Sequence, residues 1–252
     1  MNTIQESINT IQFETYDAMC RQTAAEIIQN LAQNPEQMLC IAAGHTSLGV
    51  FTHLIDAFKE GRADFSRAWF VAMDEWLHMD ERTPESCGSF LVEHFLSMVN
   101  YSESHIRLWN GKASDTEAEC RSVEQFIKAN SSSGTIDYLV LGAGMNGHLA
   151  LNEPGTPLDS RAHVSRLDPL TATVGQKYFT EGAALTGGIT LGLSDFARAR
   201  RCVLLINGAK KGPILSKILR ARSWDAQIPA TALVEFADAS IYYDAEAAES
   251  ME

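Results

Sequence analysis

The chain has 252 residues, 45% hydrophobic and 21% charged, which is enough apolar material for a sizeable core in a soluble protein. Its formal net charge of −12 repels nucleic acid and anionic membrane surface, so neither is expected as a partner. Five cysteines, odd in number and scattered without CxxC or Cys/His spacing, argue against a disulfide framework and a structural zinc.

The first fifteen residues are polar and lack the basic-then-apolar pattern of a leader, and nowhere do 18 apolar residues run together. The expected location is the cytoplasm. Apolar positions at helical spacing (Met19, Ala24, Ile27, Ile28, Leu31) predict a helix over 15–33, closed by Asn34-Pro35. A short buried strand over 38–43 ends at Gly44, and a helix over 46–59 follows with Val50, Phe51, Leu54 and Phe58 on one face. Next come a strand over 68–73 ending at Asp74-Glu75-Trp76, an amphipathic helix over 86–99 and a short strand over 106–109. A helix over 116–129 then leads to an apolar β-branched strand over 136–141. The remainder predicts a strand near 162–167, a helix near 170–180, and strands over 189–191 and 201–206. A helix over 211–220 and two closing strands over 231–236 and 239–243 complete it. Cys40 and Cys202 fall inside apolar runs and are expected to be small buried hydrophobes.

Strands alternating with helices predict an α/β fold: a mostly parallel, Rossmann-like sheet with helices on both faces. No Pro-rich or Ser-rich linker and no repeat interrupts the chain, so a single domain over 1–252 is expected. Right-handed crossovers put the carboxyl ends of the strands on one rim, where open α/β sheets bind ligands.

Three strand exits carry residues suited to chemistry. After 136–141 the chain breaks into Gly142-Ala143-Gly144-Met145-Asn146-Gly147-His148 and runs on to Asn152-Glu153-Pro154. Glycines let backbone turn sharply and approach a ligand, and an imidazole near a carboxylate suits proton transfer. A lone histidine is more often structural. Here Asn146 and Glu153 are expected to fix its tautomer through the second ring nitrogen. Ala43-Gly44-His45-Thr46-Ser47 passes from a strand into a helix, where free N–H groups suit a phosphate, although ordinary capping looks the same. Asp74-Glu75 sets two adjacent carboxylates at a strand exit; they cannot both face the core, and a solvated turn is the plain alternative. Gly208-Ala209-Lys210-Lys211 returns to the same rim, where Lys211 would neutralise a phosphate as a point charge against a small helix-dipole penalty. Lys177 by itself reads as a surface residue.

Together these motifs resemble the glucosamine-6-phosphate deaminase / 6-phosphogluconolactonase superfamily over about residues 10–245. Met73-Asp74-Glu75-Trp76, the Gly-His loop running into Asn152-Glu153-Pro154, and Gly208-Ala209-Lys210-Lys211 are similar to the deaminase (isomerase) side. Lactonases continue instead into a Thr-Ala-Ser-Leu-Phe-Pro type segment. Asn146, where most glucosamine-6-phosphate deaminases have Asp, together with Gly188-Ile189-Thr190-Leu191-Gly192-Leu193, resembles the galactosamine-6-phosphate isomerase (deaminase) branch. His163 and Ser165 stand where allosterically regulated bacterial deaminases carry basic side chains, so effector activation is not implied.

The resemblance implies conversion of a phosphorylated amino sugar, a 2-amino-2-deoxyhexose 6-phosphate, into a ketohexose 6-phosphate and ammonia, with no metal and no other cofactor. It implies that Ala43, Gly44, His45, Thr46, Lys177 and Lys211 hold the phosphate. His148, with Glu153 and Asn146, would open the sugar ring, and Asp74 would carry a proton from C2 to C1. The alternatives are ester hydrolysis of the 6-phosphogluconolactonase type and a non-catalytic sugar-phosphate sensor. Assembly into a homo-oligomer is left open.

Overall fold

A computed structural model describes residues 8–251; residues 1–7, about half of the polar N-terminal stretch, and residue 252 lie outside it. In chain order its elements are β1 (Asn9–Phe13), α1 (Tyr16–Gln33), β2 (Met38–Ile41), α2 (Leu48–Lys59), β3 (Trp69–Val71) and β4 (Asp74–Trp76). They continue with α3 (Cys87–His94), β5 (Ile106–Arg107), α4 (Thr116–Asn130), β6 (Tyr138–Gly142), β7 (His163–Ser165) and α5 (Pro169–Gly175). The last are β8 (Gly188–Thr190), α6 (Leu193–Ala197), β9 (Cys202–Ile206), α7 (Gly212–Arg220), β10 (Ala239–Asp244) and α8 (Ala245–Glu249).

Seven strands form the main sheet in the order β1-β10-β9-β6-β2-β3-β5, and each pair is parallel. β2 and β9 are buried at every residue and β6 at all but its last, so both faces of the sheet centre are covered, as α/β packing requires. Cys40 and Cys202 sit in these central strands, fully buried as expected. α1 begins where Thr15 accepts the Ala18 N–H, and it turns Met19, Ala24, Ile27 and Leu31 inward while packing on α2 and β10. Apart from Trp76 and Leu151, the buried apolar residues form one continuous cluster. No helix among the described residues is long and apolar enough to cross a membrane.

The order of the strands decides where a ligand can sit. The chain leaves β2 toward β3 and β5, then returns to the other side of β2 as β6 and moves outward to β9 and β10. The carboxyl ends of β2 and β6 therefore flank a topological switch point, where the loops diverge and leave a crevice. The ends of β3 and β9 are the next neighbours on either side.

Some expectations need correcting. The strands near 162–167 and 189–191 exist as β7 and β8 but stand outside the parallel sheet. With β1 and β5 occupying its edges, they pair antiparallel with each other and with β4 in a separate three-stranded sheet. The expected strand over 231–236 is instead a 3-10 helix, Pro229–Glu235, whose residues from Pro229 to Leu233 are all buried. An apolar run buried on all sides carries neither period, and Pro229 favours the helical start. The helix over 86–99 stops at His94, because Phe95 leaves helical geometry at φ −145° and stacks on Phe51 with ring centroids 5.0 Å apart. β1 went unpredicted because it is an edge strand with three of its five residues exposed.

Candidate active site

A cavity opens over the switch point, lined from the exits of β9, β6, β2 and β3 and from α5 with the turn after it. On the β2 side, His45–Ser47 form a 3-10 turn that runs straight into α2. The first N–H groups of such a start have no partner within the helix, and the dipole makes that end positive. The turn is pinned from two directions. Tyr16 on α1 directs its hydroxyl to the carbonyls of His45 and Thr46 (3.1 and 3.0 Å) and accepts the Gly49 N–H at 2.8 Å. The Thr46 hydroxyl donates to Asn207 Oδ1 at 2.8 Å, joining the turn to the exit of β9.

From that exit, Lys211 reaches across and donates from Nζ to the Ala143 carbonyl at the end of β6. Burial, and then the charge of Lys177, bring its pKa down to about 8. Burial and Lys210 lower Lys177 in the same way, while burial, Lys177 and His94 lower His45. Lys177 Nζ lies 4.8 Å over the Tyr178 ring, against which the His45 ring also rests. In an acidic protein, cations that weaken one another around a helix start form a site that an anion relieves.

On the β3 side, strand geometry separates the two neighbouring carboxylates. Successive side chains point to opposite faces, so Asp74 and Trp76 face the cavity and Glu75 faces away. Glu75 is buried on the start of α3. Its Oε1 accepts the N–H groups of Trp76 (2.8 Å) and Cys87 (3.0 Å), and its Oε2 accepts that of Gly88 (2.7 Å). One acid is a helix anchor and the other is free to react. Burial, and then the neighbouring Glu75 charge, push Asp74 up to about 7. A carboxylate that exchanges its proton near neutrality suits general base work.

On the β6 side, one glycine allows the turn and another makes room for the imidazole. Gly147 takes φ +84°, a turn that L side chains resist, and a Cβ on Gly144 would lie 2.2–2.5 Å from the His148 ring atoms. The ring therefore lies against bare backbone. Behind it, His148 Nδ1 is 3.0 Å from Thr171 Oγ1 on α5, and Thr171 donates to Glu153 Oε2 at 3.0 Å. Asn146 donates from Nδ2 to the same Oε2 at 3.0 Å and accepts the backbone N–H of His148 at 3.1 Å.

Of the residues singled out from sequence, Asp74, Asn146, His148, Ala43, Gly44, His45, Thr46, Lys177 and Lys211 all line this cavity. Glu153 sits behind His148, 3.6 Å from Nδ1. The expected contacts of the imidazole are different: Asn146 meets its backbone rather than its ring, and Thr171 stands between it and Glu153. Thr171, Tyr178, Tyr16 and Asn207 were not anticipated. A threonine just after Asp168-Pro169 looks like ordinary helix-start sequence, and the others gain meaning only from distant partners. No group of three or more His, Cys, Asp or Glu among the described residues could hold a metal ion.

The family model of glucosamine-6-phosphate isomerases/6-phosphogluconolactonase matches residues 12–242. The chain is 31% identical to a glucosamine-6-phosphate deaminase of Thermoanaerobacter pseudethanolicus over 234 residues, covering 92% of this chain and 91% of that protein. It is 30% identical to a glucosamine-6-phosphate deaminase of Lysinibacillus sphaericus, covering 92% and 97%. Among solved structures, a monomeric glucosamine-6-phosphate deaminase superposes with a TM-score of 0.91 at 28% identity, covering 96% of this chain and all of that one. A 6-phosphogluconolactonase of Thermotoga maritima superposes at 0.73 with 19% identity, covering 94% and 98%, and shares the fold alone.

Proposed function

Since the chain belongs to the glucosamine-6-phosphate isomerase/6-phosphogluconolactonase family, we propose that it is an enzyme converting a 2-amino-2-deoxyhexose 6-phosphate into a ketohexose 6-phosphate and ammonia. One observation supports this above the others. A carboxylate poised near neutrality, Asp74, shares a cavity with an imidazole and with a helix start ringed by cations.

The N–H groups of the 44–46 turn, with Lys211 and Lys177, grip the phosphate. That remote grip provides binding energy and orients the far end of the sugar. His148 moves a proton from the anomeric hydroxyl to the ring oxygen, which opens the pyranose. Asp74 then takes the proton from C2, which the ammonium group acidifies; as the enolamine forms, one ammonium proton passes to O1, and Asp74 returns its own proton to C1. The resulting C2 iminium adds water and loses ammonia, leaving the ketone. Asp74 ends the cycle ionised as it began.

Ester hydrolysis would leave Asp74 without a carbon acid to act on, so the deaminase reading is preferred to the lactonase one. The 188–193 segment and Asn146 favour the galacto epimer. Ammonia release is measured side by side on glucosamine-6-phosphate and galactosamine-6-phosphate, with 6-phosphogluconolactone hydrolysis as a third arm. The expected result is ammonia from the amino sugars, faster from the galacto form. Turnover of the lactone alone overturns the proposal.

A further inference from the structure

His148 meets no carboxylate directly. Glu153 Oε2 is 3.6 Å from Nδ1, beyond a hydrogen bond, and Thr171 Oγ1 stands between them at 3.0 Å from each. The surrounding donors settle where the protons are. Asn146 Oδ1 accepts the His148 N–H, which turns its Nδ2 toward Glu153 Oε2 and, at 3.3 Å, toward Thr171 Oγ1. Oε2 is thus an acceptor toward its neighbours, and Thr171, which has one proton, gives it to Oε2. The free lone pair of Thr171 then faces His148 Nδ1. A bare Nδ1 there would press two lone pairs together, so Nδ1 arrives as N–H. Thr171 is only 5% exposed, which shields this order from exchange with solvent. Nε2 makes no hydrogen bond to any described residue, and His148 lines the cavity.

We propose that Thr171 is a positioning residue that holds His148 as its Nδ1–H tautomer and relays it to Glu153, leaving Nε2 as the open proton acceptor. This rests on the reaction proposed above for its catalytic consequence, though not for the tautomer itself. When Nε2 takes the anomeric proton, the imidazolium keeps its Nδ1–H on Thr171, whose hydroxyl dipole is already aimed at the carboxylate. The charge that develops is therefore stabilised through the threonine.

The test compares the wild type with Thr171→Val, which keeps the shape and loses the hydroxyl, and Thr171→Ser, which keeps the hydroxyl. Nitrogen NMR on histidine-labelled protein reads the tautomer, with His148→Asn assigning the signal. The wild type is expected to show Nδ1 protonated and Nε2 bare, with Thr171→Val losing that preference. In the same variant kcat falls about 10- to 100-fold while KM stays within about twofold, and Thr171→Ser recovers most of the rate. A wild-type His148 protonated on Nε2, a Thr171→Val enzyme with unchanged tautomer and kcat, or no rescue by serine each overturns the proposal. Absence of ammonia release from the wild type discards the reaction instead and leaves the tautomer result standing on its own.

Discussion

At one end of the cavity, Lys177, Lys211 and His45 gather around a backbone turn, where burial makes each harder to protonate and the Lys177 charge adds to this for the other two. At the other end, Asn146, His148, Thr171 and Glu153 are joined by hydrogen bonds beside Asp74, with Thr171 and Glu153 buried and the rest partly so. In the proposed reaction the first region is the one that gains from binding an anion. The second is ordered in advance and changes only by moving protons. The contrast teaches that binding and chemistry are separable here: damage to the cradle should appear mainly in KM, damage to the acid–base end mainly in kcat.

Asp74→Asn gives the largest effect. It removes the proposed carbon base, and kcat is expected to fall about 10³- to 10⁴-fold with KM little changed. A KM rise of the same size would erase the distinction between the two ends. The same variant should stabilise the ligand-free protein. The folded carboxyl titrates near 7 against an ordinary value of 3.8, so over that window the folded chain keeps a proton that the unfolded chain releases. Wild-type stability therefore declines as pH rises through the window, and the Asn variant, which does not titrate, gains in relative Tm by pH 8. Thermal melts at pH 5 and pH 8 check this.

Gly144→Ala pushes a methyl into the His148 ring. A displaced imidazole should reduce kcat by about 100-fold, with phosphate affinity intact. Wild-type kcat with a shifted KM would mean that the ring position does not matter.

Lys211→Met tests the cradle. Loss of one charge-assisted contact of about 1.5–3 kcal/mol corresponds to a KM raised about 10- to 100-fold, with a smaller change in kcat. Isothermal titration with inorganic phosphate reads the same loss without turnover.

The pH profile of kcat/KM should be a narrow bell. Its acidic limb lies near 7, where Asp74 must lose its proton, and its alkaline limb near 8, where Lys211 of the free enzyme loses its own. Lys211→Met should remove the alkaline limb and leave the acidic one. A bell that keeps both limbs in that variant breaks the assignment.

The smallest effect belongs to Asn207→Ala, which cuts the Thr46 tether at the edge of the cradle. Losing a hydrogen bond of about 1 kcal/mol should raise KM about fivefold and leave kcat alone.

Much of this molecule was readable from residues alone. Apolar periodicity placed α1, α2, α4, β6 and β9 to within a few residues, because burying one stripe or one run is a local demand on sequence. The glycine loop announced itself for the same reason: Gly147 needs a positive φ and Gly144 must leave room for a ring, constraints that fall on single positions. The strand exits at 43–47, 74 and 208–211 were also legible, since polar residues where a core would otherwise continue have few other uses.

Tertiary structure decided what depends on a distant partner. Glu75 and Asp74 look alike in sequence; only the pleat of β4 and the position of α3 make one an anchor and turn the other to the cavity. Residues 231–236 carry an apolar run that suits a strand as well as a buried helix, and in the fold Pro229–Glu235 form a 3-10 helix buried from Pro229 to Leu233. Thr171 carries no local mark, yet α5 brings it between His148 and Glu153. Sequence by itself determined which groups exist and on which rim they emerge, because hydrophobic period and backbone chirality act over neighbouring residues. Which of those groups touch, which are desolvated and which stay free was settled by packing between distant segments, as in the bond between Thr46 and Asn207, 161 residues apart.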